Sequence, residues 1–451
     1  MNEQVLTAVV TAPGLAFIFL ALGWMLGWTP AERTIVRITA FVSLVMVGGA
    51  AWMGYLMLAT GQAQFYTSFG DWFRVGEYEF TFELFADHLS LPLVGLTSAL
   101  VGIVGSFSAR YMHKERGFFR FFMLLLLFAF GADLAFTAGS FDLLIGGWEL
   151  VGLTSVLLIA FFNERREPVR NALRVFATYR LADIGLLLAV FAMHYLAGSS
   201  EEGHLFLGNW PAQHVSMSPF AATVVGLLLL WGAAGKSAQF PFSGWLPRAM
   251  EGPTPSSAIF YGAISVHLGA YLLLRAEPVF IASPIAAGCV VLVGALTAFL
   301  ATLTNRVVSD AKTTLSYAAM SQLGIIFVEI GLGFPTLALV HLVGHAVVRT
   351  LQFLRAPSML HDYRRVHAAA GGDVGRTGEH YEGVIPSGVR LWLYRFSLER
   401  GFYDSIADTL VVNPILKLSS ALASLEPDRG PEHAARKPEP LGRPMVQEVE
   451  S

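Results

Sequence analysis

A chain of 451 residues with 54% hydrophobic and only 14% charged residues departs from soluble globular proteins, which run about 45–50% apolar and about 25% charged. That charge deficit, with a net charge of −3, excludes a soluble enzyme, a disordered chain and a nucleic-acid-binding protein, whose mark is a basic patch. The single cysteine, Cys289, excludes a disulfide framework, a thiolate metal cluster and a CxxC redox pair; no Gly-x-Gly-x-x-Gly or Walker-type loop occurs, so no cofactor is expected.

The apolar residues gather into stretches of about 20, the length that spans a bilayer as helix. Eleven follow in chain order, at 5–28, 35–59, 87–109, 118–138, 141–162, 171–196, 219–241, 253–275, 283–304, 312–333 and 336–356. In hydrocarbon every backbone polar group must be satisfied internally, so the fold class is an all-α polytopic membrane protein. The first stretch follows Met1-Asn2-Glu3-Gln4, without a basic region or a cleavage site, and is read as a retained helix rather than a signal peptide. Between the second and third spans, residues 61–86 alternate aromatic and polar (Glu77, Tyr78, Glu79, Phe80, Thr81, Phe82), which predicts a short hairpin.

After Arg355 the composition changes. Residues 357–388 are polar and carry Gly371, Gly372, Gly375, Gly378 and Pro386, the pattern of a loop. Residues 389–424 place Leu391, Leu393, Phe396, Leu398, Phe402, Ile406 and Leu410 at helical spacing, predicting an amphipathic helix broken at Pro414 that lies on the membrane or on a partner. Residues 425–451 are rich in Pro, Glu and Arg and are expected to be disordered.

Loop charge sets the expected orientation. The loops after helices 1, 3, 5, 7 and 9 hold thirteen Lys and Arg, among them Arg33, Arg37, Arg110, Lys114, Arg165, Arg248 and Lys312; the loops after helices 2, 4, 6, 8 and 10 hold Arg74 and Arg275. This bias puts the N-terminus outside and the C-terminal tail in the cytoplasm of a bacterial-type inner membrane.

Ionisable residues inside spanning helices are costly and mark functional sites by default. Helix 4 carries Asp133, which could equally sit at the interface; helix 5 carries Glu149; helix 6 carries Arg180 and Asp183, three apart on one face and able to form a static pair. Helix 7 carries Lys236, followed by Pro241, which is expected to break the helix and free carbonyls. Helix 8 carries His267, six residues after Tyr261, and helix 10 carries Glu329, read as interfacial. Helix 11 presents His341, His345 and Arg349 at i, i+4 and i+8, one stripe of one face. A His-x-x-x-His pair can bind zinc, but a third ligand is needed and the next polar residue on the stripe is cationic, so no metal site is expected. The plain reading of Glu149 and Lys236 is a structural ion pair. Acid, amine and imidazole groups at several depths also make a proton relay, and their small-residue settings favour it.

These runs carry a resemblance. Trp148-Glu149-Leu150-Val151-Gly152, Arg180-Leu181-Ala182-Asp183-Ile184-Gly185, Gly235-Lys236-Ser237-Ala238-Gln239-Phe240-Pro241, Trp245 to Ala258, Asp310-Ala311-Lys312, Ser321-Gln322-Leu323-Gly324 and His341-Leu342-Val343-Gly344-His345 occur in an order that resembles the antiporter-like subunits of respiratory complex I, of the subunit L (subunit 5) type, and the related Mrp antiporters. The likeness covers roughly residues 85–356. It implies a bundle of two inverted five-helix repeats, each with a broken helix and a proton half-channel. It implies that Glu149, Asp183 and Lys236 are the helix-5, helix-6 and broken-helix groups of the first half-channel, with His341 and His345 joining the halves. Arg349 stands where the family commonly has lysine and Tyr261 where it has histidine. The family continues with a second lysine-bearing broken helix, and no such stretch follows Arg355. The expected organisation is therefore 1–117 with helices 1–3 and the hairpin, 118–275 as a first whole repeat, 283–356 as a shortened second repeat, 357–424 as loop and amphipathic helix, and 425–451 as tail.

The expected function is proton conduction coupled to the work of a partner chain in the bilayer. Three partners fit: a complex I-like quinone oxidoreductase, a multi-subunit Mrp antiporter, and a two-component inorganic-carbon uptake system whose soluble zinc protein resembles carbonic anhydrase. The shortened second repeat favours the last. A non-conducting scaffold is the rival of another class. No nucleic acid is expected as a partner.

Overall fold

The computed structural model describes residues 2–28, 30–75, 78–197, 210–211, 217–356, 368–369 and 384–402 and positions 409, 414 and 417. Its first compact unit, Met1–Pro386, contains eleven helices long and apolar enough to cross a membrane among the described residues. They are α1 (Asn2–Met25), α2 (Glu32–Thr60), α3 (Ser90–Tyr111), α4 (Phe118–Phe136), α5 (Phe141–Ile159), α6 (Arg166–Ala197), α7 (Pro219–Lys236), α8 (Thr254–Arg275), α9 (Pro284–Asn305), α10 (Ala311–Gly331) and α11 (Pro335–Arg355). Each matches one expected span, with ends displaced by no more than five residues.

Local chemistry sets several starts. Ser140, Ser218, Ser283 and Asp310 each turn a side-chain oxygen onto the backbone N–H three residues on, capping α5, α7, α9 and α10. Pro219 and Pro284 then occupy first-turn positions where no N–H is needed. Close packing follows from glycine. A Cβ on Gly147 would lie 2.4 Å from the Ala135 nitrogen and 2.6 Å from the Gly131 oxygen, so α4 and α5 meet backbone to backbone.

The expected hairpin is present: β1 (Phe65–Val75) pairs antiparallel with β2 (Tyr78–Ala86), from Phe65 opposite Ala86 to Val75 opposite Tyr78, with register shifts between Ser68 and Phe73. It is stitched to the α4–α5 connection by Phe85 N–H to Thr137 O at 2.7 Å and Gly139 N–H to Glu83 O at 2.9 Å. Arg275 is not a free loop charge as the orientation count took it. It ends α8, 3% exposed, and grips Asp87 through both guanidinium nitrogens at 2.7 and 2.9 Å.

The centre of the bundle is α8, buried along its whole length. Large apolar side chains such as Leu187, Phe191, Leu292, Phe299 and Val340 are exposed, the outward face of a protein whose solvent is lipid.

Two helices are interrupted, and one interruption corrects an expectation. The seventh span does not run to 241 and is not broken at Pro241: α7 ends at Lys236, Ser237 caps it, Ala238 takes φ +52°, and Pro241 lies five residues past the end. A short helical turn, Trp245–Arg248, and a tight turn, Ala249–Glu251, lead into α8. The eighth span, expected as one straight helix, widens into a π turn at Ser257–Tyr261 and leaves helical geometry at Ala263 (φ −130°, ψ −80°) before resuming at Ile264.

The second unit begins at Ser387. Its helix α12 (Ser387–Leu398) carries Leu391, Leu393, Phe396 and Leu398 as expected but stops there, because Gly401 turns left-handed at φ +71°. The rest of the amphipathic expectation (Ile406, Leu410 and onward), most of the polar loop and the tail 425–451 lie outside the described residues, of which Pro414 is an isolated described position.

Candidate functional site

The ionisable residues of helices 5 to 7 form one cluster, and those of helices 8 and 11 a second. Glu149 on α5 faces Arg180 on α6, whose guanidinium pairs with Glu149 and, at 2.8 Å, with Asp183. One turn of α6 separates Arg180 from Asp183, which is why a single guanidinium serves both carboxylates. The cluster grades inward: Glu149 and Arg180 are 35% and 41% exposed, Asp183 7%.

Trp148 carries the cluster on to Lys236. Its indole N–H donates to Asp183 at 2.7 Å, and its backbone carbonyl accepts from Lys236 Nζ at 2.9 Å. The ammonium also lies 4.6 Å from the Tyr179 ring centre and 4.9 Å from that of Trp148. Lys236 is 1% exposed and is the last residue of α7, where the helix dipole favours a cation. A Cβ on Gly152 would come within 2.9 Å of Nζ, so glycine there leaves room for the ammonium. Two carboxylates and two cations make the cluster formally neutral.

Deeper in, hydroxyls bridge α5 and α8. Ser155 and Ser265 are 3.3 Å apart, and Tyr261 donates to the Ser155 carbonyl at 3.0 Å. Beyond them, His267 Nε2 lies 2.9 Å from His345 Nδ1, and His345 Nε2 accepts from Arg349 Nε at 3.4 Å. The other nitrogen of His267, Nδ1, bonds the Ala263 carbonyl at the interruption of α8. A carbonyl only accepts, so His267 Nδ1 carries hydrogen, Nε2 accepts, and His345 Nδ1 donates. One directed row of neutral imidazoles, from Arg349 to Ala263, satisfies all three bonds.

His341 lies one turn earlier on α11, its ring 6.4 Å from that of His345. It bonds Glu329 at 2.9 Å and Gln322 at 3.1 Å. Glu329, two residues from the end of α10, is 15% exposed and paired to a histidine of the stripe. The signal was present in the sequence, since α10 and α11 are antiparallel and positions 329 and 341 are equally far from Pro335. Asp133, for which the interface was one reading, is fully buried in α4, and neither carboxylate oxygen finds a partner among the described residues. None of its hydrogen bonds or ion pairs joins it to the groups above. Tyr261 reaches a backbone carbonyl, whereas His267 reaches the histidine stripe. Trp148, Tyr179 and the two serines were not singled out from sequence. An aromatic or hydroxyl residue in an apolar helix looks like packing until its neighbours are known.

Residues 138–371 match the model of the family described as NADH:quinone oxidoreductase/Mrp antiporter, TM, and residues 72–122 match that of the NADH-ubiquinone oxidoreductase (complex I) chain 5 N-terminus. NAD(P)H-quinone oxidoreductase subunit 5 of Brachypodium distachyon chloroplasts is 34% identical over 350 residues, 76% of this chain and 47% of the relative; that of Citrus sinensis is 33% identical over 351 residues, 76% and 46%. The chain thus spans about half the length of the curated relatives it matches. Among solved structures, the Mrp complex from Dietzia sp. DQ12-45-1b is 27% identical over 78% of this chain and 37% of that one, with a TM-score of 0.65. The membrane-bound sulfane sulfur reductase, an archaeal respiratory complex, shares the fold at 18% identity and a TM-score of 0.64, over 78% and 70%. With more than half its residues inside that first family model, this multi-pass membrane protein belongs to the NADH:quinone oxidoreductase/Mrp antiporter transmembrane family.

Proposed function

We propose that the chain is a proton-conducting subunit of a larger membrane assembly. Protons pass between Glu149, Asp183 and Lys236 and the histidines His267, His345 and His341, with Arg180, Tyr261 and the hydroxyls supporting them. The observation that carries this reading is the bridge at Trp148, which joins the buried Asp183, itself linked through Arg180 to the third-exposed Glu149, to an ammonium that is 1% exposed. A buried ion pair serving only as a clamp needs no graded access from the surface. Lys236 at the end of α7 and the interrupted α8 put ionisable groups beside backbone that is not saturated by its own helix. In this reading α4–α8 form one whole repeat and α9–α11 the start of a second. The loop charges put the N-terminus outside and the C-terminus in the cytoplasm of a bacterial-type inner membrane.

Arg349 holds its charge, so it orients His345 rather than passing a proton on, whichever way the flux runs. The work so coupled is inorganic-carbon uptake, with a carbonic-anhydrase-like zinc protein bound on the cytoplasmic side. The protein that co-purifies tests this part: a soluble zinc protein is expected, and redox subunits or small antiporter subunits would overturn it. For conduction itself, the assembly is reconstituted in vesicles and proton uptake measured with Lys236→Ala and Glu149→Gln. Flux is expected to fall in both; wild-type flux in both means a scaffold.

A further inference from the structure

A cavity of about 340 Å³ opens between α9, α10 and α11, lined by Arg306 and Arg349 with Thr302, Asn305, Ser321 and Gln322. Two arginines contribute to its lining and no acidic residue does. Arg349 is 8% exposed, its Nε is committed to His345, and among the described residues no Asp or Glu pairs with it. A buried cation without a counter-charge is expensive, so the charge must be balanced from the cavity.

The neutral groups there are arranged to donate. Gln322 gives its carbonyl to His341, leaving its NH2 for a ligand. Thr302 and Ser321 are bonded to each other at 2.8 Å, so one of their two O–H groups stays available. Arg349 lies six residues before the end of α11, about 9 Å at 1.5 Å per residue, and Arg306 immediately follows α9, so the cavity sits near the helix ends within reach of solvent and headgroups.

We propose that this cavity binds a monovalent oxyanion, its paired oxygens held by the fork of Arg349. Planar oxygen pairs match a guanidinium better than a spherical ion does. The same chemistry has two sources, a free anion such as bicarbonate or the phosphodiester of an anionic lipid. The site is independent of the conduction reading, because its test reads binding.

The full chain with its co-purifying partners is held in detergent with gluconate as the only added anion. Thermal unfolding is followed while sodium bicarbonate or sodium nitrate is titrated, and, separately, phosphatidylglycerol. A saturable rise in the unfolding temperature is expected with the free anions if they are the source, or with phosphatidylglycerol alone if the headgroup is. Arg349→Gln is expected to abolish it. Should that variant not fold, Ser321→Leu, which fills the cavity, is expected to weaken binding at least about tenfold, the equivalent of one charge-assisted hydrogen bond. No response to any of the three ligands, or an undiminished response in the folded variants, overturns the site.

Discussion

The formal neutrality of the Glu149, Arg180, Asp183 and Lys236 cluster separates a relay from a clamp. Lys236→Met keeps most of the side-chain volume and deletes the ammonium, leaving two carboxylates against one guanidinium. Asp183 and Lys236 are 7% and 1% exposed and share Trp148 through bonds of 2.7 and 2.9 Å, so this end of the cluster is not screened by solvent. Stranding one member of a direct buried pair costs about 3–5 kcal/mol; Asp183 keeps Arg180 at 2.8 Å, so the loss is expected below that range. The Glu149 end, a third exposed, is discounted toward the value of a surface pair. Asp183→Asn alone leaves the opposite excess and is expected to cost a similar amount. The double variant restores neutrality, and the two costs should fail to add by about 0.5–3 kcal/mol in the direction of rescue. Proton flux is expected to behave otherwise: each single variant loses it and the double variant stays silent, because no amount of charge balance restores a missing proton carrier. Unfolding in nanodiscs gives the stability cycle, and dye-reported acidification of vesicles gives the flux. Rescue of flux together with stability would refute the reasoning and make the cluster a clamp.

Gly147→Ala places a methyl 2.4 Å from the Ala135 backbone nitrogen, where no flexible atom can yield, so α4 and α5 must separate; a loss of about 1–3 kcal/mol is expected in thermal unfolding. Arg275→Met strands Asp87 in a site where both side chains are no more than 3% exposed, and should cost about 3–5 kcal/mol and loosen the start of α3, read by hydrogen exchange. Burial pushes the Asp87 carboxyl up, but the Arg275 guanidinium and the bonds from Ser90 outweigh it and hold the group below the usual carboxylate range. That contribution is complete above the unfolded carboxylate value and fades as pH falls through the lowered one, an acid limb that Asp87→Asn should abolish.

Much of this was written in hydropathy. Spans of about 20 apolar residues have one solution in a bilayer, so all eleven helices were legible, and caps such as Ser283 with Pro284 even fixed some starts. The interruptions were harder. Pro241 advertised a break, but the helix ends where Lys236 and Ser237 find tertiary partners, Trp148 and the Val266 carbonyl, and such partners have no local signature. The site residues showed themselves as charges out of place, while their bridges did not: Trp148 contributes as much by its carbonyl as by its ring. Arg275 was counted as a loop charge because it stands at a helix end, and only the fold reveals Asp87 opposite it.

His267 meets α11 because α8 is not a regular helix. Tyr261 lies in the π turn of α8 and directs its hydroxyl to the Ser155 carbonyl. His267 stands six residues on, beyond the interruption at Ala263. In an unbroken helix six residues turn the side chain by about 240°, away from the original face. The interruption resets that phase. It also leaves the Ala263 carbonyl to orient the imidazole, whose far nitrogen then meets His345 at 2.9 Å. The site thus holds an imidazole against α11. Broken backbone changes the helix phase, and counting positions along a regular helix does not tell which residue of α8 meets α11.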